Sequence, residues 1–146
     1  MTIHIISQNP YRILGVLSNS PLKERVGNQN RLAAFAKVGK EVAFPNDFAT
    51  ILTEKPVRTL ESVAAANTAI TLDIDQLKYA LFWFISGSTM DDIALRHLQT
   101  GNREKAEEIF QKKETYSSLI NSGVLAFIDG NITAGFNSIS KVVHNP

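Results

Sequence analysis

The chain has 146 residues, with 15 basic and 14 acidic side chains, a formal charge of +1 and an apolar fraction of 44%. This is the composition of an ordinary globular protein, one domain or two small helical units, and it excludes an extensively disordered chain. Cysteine is absent, which removes disulfides, thiol catalysis and thiolate metal sites, and the near-neutral balance lacks the basic excess of a nucleic-acid binder.

Residues 1–7 carry no Lys or Arg, and their apolar stretch is too short for a secretory signal. The longest apolar run, residues 79–85, is far below the ~20 residues that cross a bilayer. The chain is therefore read as cytoplasmic, without a membrane contact. A brief alternation at Ile3-His4-Ile5 is the one strand-like feature. Asn9-Pro10 then opens a short helical segment over residues 11–17. Ser20 and Pro21 follow as N-cap and first position of a helix over residues 22–38. Its apolar stripe is Leu22, Val26, Ala33 and Ala36, with Leu32 beside it. Gly27 weakens this helix by about 1 kcal/mol relative to alanine, and Phe35 lies off the stripe.

Residues 39–58, broken by Pro45 and Pro56, are expected to form a loop, longer than the ~12–15 residues usual for one. Thr59 caps an alanine-rich helix over 61–70, and Asp73 or Asp75 caps another over 76–85. Leu14, Leu32, Val63, Ile70 and Leu81 are expected in one core. The rings of Phe82, Trp83 and Phe84 cannot all face one side, so one of them meets the following helices or a partner.

The last third repeats. Gly101-Asn102 and Gly130-Asn131 stand 29 residues apart, and they separate helices expected over 90–100, 103–114, 115–129 and 132–143. Such a period marks stacked helix pairs. Ile132, Phe136, Ile139 and Val143 form a stripe expected to pack inward on Val124, Phe127 and Ile128. Ala134, Ser138 and Val142 would then face outward. That nearly uncharged surface would suit a second copy, giving a homodimer through the C-terminal helices.

Two families are resembled. "NPYRILGV" at residues 9–16, the Ser-Pro start and Leu32-Ala33 body of the next helix, and "VAAANTAITLDIDQLKYALF" at 63–82 resemble a J-domain. That helical module stimulates the ATPase of DnaK-type chaperones. The resemblance implies an all-α fold, with a J-domain-like unit over residues 1–86. It also implies a chaperone contact through basic residues of the second helix. The family's His-Pro-Asp tripeptide is missing, however. Its place by spacing reads Lys37-Val38-Gly39, and the nearest match is Phe44-Pro45-Asn46-Asp47. Phenylalanine lacks the ring nitrogens of histidine, so a degenerate domain without chaperone stimulation is expected. Residues 87–146 are similar to tetratricopeptide repeats, with Ala94, Gly101-Asn102, Ala106 and Phe110 at that family's small, turn, small and aromatic positions. Gly123, Gly130-Asn131, Gly135 and Ile139 follow at the same spacing.

Together these point to a non-enzymatic protein-interaction module, an adaptor or scaffold whose protein partner is not identified by sequence. The alternatives are an active co-chaperone reaching the ATPase through other residues and, behind it, an enzyme with a site assembled from distant polar residues. Candidate partner-binding residues are Lys23, Arg31, Lys37, Phe44, Pro45 and Asp47. The segment 21–40 holds five basic residues against Glu24, either a contact surface or simply a solvated helix face. Phe44 to Asp47 is either a docking turn or a loop folding Phe44 and Phe48 back over the core. His4, His97 and His144 show no metal-ligand spacing. The acidic pairs Asp73/Asp75 and Asp91-Asp92 fit helix N-termini better than acid–base catalysis. No cofactor is expected.

Overall fold

A computed structural model describes residues 3–144. The protein is all-helical, with no strand among the described residues. The helices are α1 (His4–Ser7), α2 (Pro10–Ile13), α3 (Leu22–Lys37), α4 (Leu60–Ala69), α5 (Asp73–Ala80), α6 (Thr89–Gln99), α7 (Arg103–Lys112), α8 (Tyr116–Ile128) and α9 (Ile132–His144). A 3-10 turn, Pro45–Asp47, interrupts the long loop. The strand-like alternation at residues 3–5 is overridden, and the chain enters α1 there.

Local chemistry accounts for most boundaries. Asn9 caps α2 by accepting a hydrogen bond from the Tyr11 amide at 3.0 Å. Pro10 sits at the first helical position, where its missing N–H costs nothing. Thr59 and Ser62 make a reciprocal capping box at the start of α4, and Thr115 and Ser118 repeat it on α8. Gly101 (φ 87°) and Gly130 (φ 80°) take the left-handed conformation that ends α6 and α8.

Two expected helices are shorter than their sequence pattern. The first stops at Ile13, because Gly15 turns the chain at φ 71°. The helix expected over 76–85 instead runs from Asp73 to Ala80. The chain then continues as an irregular strap whose backbone polar groups find partners elsewhere, as burial requires. Ser18 N–H donates to the Phe84 carbonyl at 3.1 Å, and the Trp83 indole N–H donates to the Val16 carbonyl at 2.9 Å. Asn121 both donates to the Ile85 carbonyl and accepts from its amide, at 2.9 Å each way. Asn19 does the same for Ser86. The strap is thus fastened to both halves of the chain.

One apolar cluster fills the interior. Leu14, Leu32, Val63 and Ile70 are buried and Leu81 is half-buried against them, in line with the expected core. Leu98, Phe110, Val124 and Phe127 extend the same cluster into the C-terminal helices. Phe48 folds back from the loop into its centre, with its ring 4.5 Å from Phe84 and 5.8 Å from Trp83. It does so at φ 49°, a left-handed conformation costing roughly 1–2 kcal/mol for a residue with a side chain. Complete burial of the ring, on the order of 1.5–3 kcal/mol, offsets that strain. Phe82 points the other way and reaches Phe127 at 5.5 Å.

Two stripes sit differently from expectation. On α3, Leu22 and Val26 are exposed and Leu32 alone is fully buried. On α9, the expected stripe packs inward in part: Ile139 is buried and the Phe136 ring meets Phe127 at 5.1 Å, but Phe136 is still 53% exposed and Ile132 and Val143 are exposed. The cause is the α8–α9 contact, where Gly123 and Gly135 let the two backbones approach. A Cβ on Gly123 would lie 3.4 Å from the Gly135 carbonyl oxygen. Close packing rotates Gly135 and Ile139 inward and leaves Ala134, Ser138 and Val142 half-buried rather than outward.

These contacts set opposite expectations for two glycines. A Cβ on Gly135 would come within 2.6 Å of the Phe127 ring, so Gly135→Ala should lower stability by about 1–3 kcal/mol. Gly27, inside α3 with nothing within 4 Å of its Cβ position, should instead gain about 0.5–1 kcal/mol as Gly27→Ala. Urea unfolding followed by circular dichroism measures both.

Candidate functional site

The polar interior centres on two arginines. Helix α2 turns Arg12 inward, where it is 1% exposed. Its Nε donates to the Asp47 carbonyl (3.0 Å) and its Nη1 to the carbonyls of Ser7 (2.8 Å) and Glu54 (2.6 Å). Nη2 donates to the Leu52 carbonyl at 3.2 Å. Arg58 grips Asp47 with both terminal nitrogens, at 2.8 and 2.5 Å, the fork-to-fork arrangement that suits a guanidinium and a carboxylate. Its remaining bonds go to the carbonyls of Ile13, Val42 and Arg12.

A guanidinium has five N–H donors. Arg58 uses all of them and Arg12 four. Arg58 is thus paired with the Asp47 carboxylate, while Arg12 is held by carbonyls with the carboxylates of Asp47 and Glu54 nearby. Burial pulls the Arg12 guanidinium down to about 10, with Asp47 and Glu54 working against the shift and Arg58 with it, so Arg12 is still charged at neutral pH. Neither arginine stood out in the sequence, where both look like surface residues. The one available signal for Arg12 is its place beside the apolar Tyr11 and Ile13 in a segment with no room for an exposed face.

The sequence-singled residues separate into two groups. Asp47 is buried in the ion pair with Arg58, and it also accepts a hydrogen bond from the Phe44 amide at 3.0 Å. The Phe44 ring lies directly over Gly15, where a Cβ would overlap it, between the guanidinium groups of Arg31 (5.6 Å) and Arg58 (5.0 Å). Phe44 and Asp47 thus brace the loop from inside, while Pro45 between them is exposed. Lys23, Arg31 and Lys37 are exposed on α3, and Arg31 also lies 5.7 Å from the Phe35 ring. Leu22 (62% exposed) and Val38 (68% exposed) interleave with these cations.

A cleft of about 800 Å³ opens between the inner side of α3, the loop and the start of α4. Leu32, Ala36, Val42, Leu52, Pro56 and Leu60 contribute apolar wall, and Arg12, Asp47 and Arg58 also line it. Sequence reasoning did not find this cleft, because no short motif encodes a space between a helix and a distant loop.

Among the described residues, no three His, Asp or Glu side chains converge as a metal site, and no helix is long and apolar enough to cross a membrane. Comparison with protein families, with characterised proteins and with solved structures gives no match to this chain.

Removing one member of the arginine cluster should have graded effects. Asp47→Ala leaves Arg58 without its carboxylate in a largely buried place and should cost about 3–5 kcal/mol. Arg12→Lys keeps the charge but offers three donors to four carbonyls, and should cost about 1–3 kcal/mol. Chemical denaturation of the two variants beside the parent chain tests the order.

Proposed function

We propose that the chain is a non-enzymatic protein-interaction module, an adaptor or scaffold whose contact face is the outer surface of α3. The observation that carries this reading is the make-up of that helix. It commits Leu32 alone to full burial and offers solvent an interleaved set of apolar and basic side chains, Leu22, Val26 and Val38 with Lys23, Arg31 and Lys37. None of these three cations is salt-bridged to a carboxylate among the described residues. The complementary partner is a protein segment with acidic and apolar side chains, since matched charge guides docking and apolar contact holds it.

On this reading residues 9–84 form a degenerate J-like unit and the C-terminal hairpins a tetratricopeptide-like one. Helix α4 packs on both α2 and α3, an arrangement that supports the J-like register. A DnaK-type chaperone is then a natural partner to try. Phe44, in the histidine place, is braced between two arginines, so the turn has no free group to act on a chaperone. Self-association through the C-terminal helices is retained as part of the proposal, now through the exposed Ile132, Phe136 and Val143. Light scattering at micromolar concentration reads it, and Phe136→Glu should give a monomer.

Two measurements test the main reading. Adding the chain to a purified DnaK-type chaperone should leave ATP turnover at its basal rate; stimulation at the level of an ordinary J-protein would replace the adaptor by an active co-chaperone. Lys23→Glu with Lys37→Glu should change stability by no more than about 0.5 kcal/mol per site, since both side chains are exposed. The same double variant should lose the partners that the parent chain captures from its native cells. Undiminished capture would remove α3 from the contact.

A further inference from the structure

We propose that the cleft between α3 and the 39–59 loop is a binding site for an apolar monocarboxylate, a ligand with a hydrocarbon body and one anionic head. This site lies on the inner side of α3 and stands independently of the outer-face reading above.

Its volume, about 800 Å³, falls within the ~300–1,000 Å³ typical of sites for small organic ligands. The cleft is preformed. Arg58 holds the carbonyl of Val42, and Arg12 holds those of Asp47, Leu52 and Glu54, so the loop is fixed in position instead of settling onto Leu32 and Ala36. A protein interior normally closes such a space. The part of the loop that could close it is tied to the two arginines.

Charge selects the ligand. Arg12 and Arg58 line the cleft with one carboxylate, Asp47, and Glu54, outside the lining, is the other carboxylate acting on Arg12. One Nη2 proton of Arg12 has no acceptor among the described residues. A donor left unfilled on so buried a group is costly, and an anion in the cleft that accepts from it relieves that cost. The rest of the lining is balanced: Lys40 and Lys55 against Glu41 and Glu61, with Lys55 and Glu41 paired at 3.6 Å. A ligand carrying two or more negative charges would meet those glutamates, and a neutral one would leave the one excess cation of the lining unanswered. A single carboxylate on an apolar body fits both constraints. It could be a free acid or the C-terminus of a peptide, and the two sources are separable.

Isothermal titration of the intact chain at neutral pH compares octanoate with octanol, and N-acetyl-Leu-Leu with its C-terminal amide. At least one carboxylate should bind one-to-one, at least tenfold tighter than its neutral counterpart, and the probe that binds identifies the source. Amide-proton shifts in NMR should cluster at residues 32–61. Ala43→Trp and Thr53→Trp, each placing a large side chain at an exposed lining position, should weaken binding tenfold or more with circular dichroism unchanged. Lys40→Gln should reduce the preference for the carboxylate. The site is overturned by no binding of either carboxylate, by equal affinity for the neutral probes, or by full affinity in both blocked variants that fold.

Discussion

A guanidinium taken out of water has to find acceptors for its protons, and Arg12 takes them from the backbone. Its four carbonyl partners come from residues 7, 47, 52 and 54, so a single side chain on a one-turn helix dictates the path of a loop more than thirty residues downstream. Arg58 adds the return tie, closing on Asp47 and on the backbone of α2 itself. A loop of this length would ordinarily be the most variable part of a small helical protein. Here it is tied down by side-chain hydrogen bonds from both arginines, and the strained backbone of Phe48 is held between these ties with its ring in the core.

That arrangement explains why α3 is so lightly used. The loop, through Phe48 and Leu52, supplies core volume that the second helix of a helical bundle would otherwise provide. Relieved of that task, α3 keeps Leu32 inside and turns its remaining apolar and basic residues outward. An exposed Leu or Val alone means little, since much of any protein surface is apolar. Leu22 and Val26 on one helix and Val38 at its end, among cations with no carboxylate partner in the described residues, are a different matter. The cleft on the inner side follows from the same cause, because a loop fixed by arginines cannot settle onto the helix.

Much of the fold could be read from short-range chemistry. Asn9-Pro10, Thr59, Gly101 and Gly130 each marked a boundary through a physical effect confined to a few residues, and those boundaries fall within a residue or two of their expected places. What could not be read depended on distant partners. At the end of α5 Asn9 takes the carbonyls of Tyr79 and Phe82, and Asn19 and Asn121 capture the backbone at Ser86 and Ile85 beyond, and nothing near residue 80 announces them. The orientation of α9 was legible in part, because side-chain size points to one side of the helix and closeness of approach to another. A stripe of Ile, Phe and Val looks like the buried face, yet two glycines allow a tighter helix contact on another side. At the candidate site the exposed Lys23, Arg31 and Lys37 were legible as charges on a helix. The inward Arg12 was not, since charged residues are rarely buried without a dedicated partner.

The strap beyond α5 has a consequence for how the chain can be made. Asn9 is satisfied by carbonyls 70 and 73 residues ahead of it, and Val16 accepts its bond from an indole 67 residues away. Asn19 waits the same distance for Ser86, and Asn121 must still be added before Ile85 is paired. During synthesis, when residues emerge in order, the first twenty therefore have apolar and polar groups whose partners do not yet exist. An N-terminal third that cannot complete its own core depends on what holds it while the ribosome is still at work. Closure waits for the strap, and full pairing waits for α8, so the molecule acquires its interior late and nearly all at once.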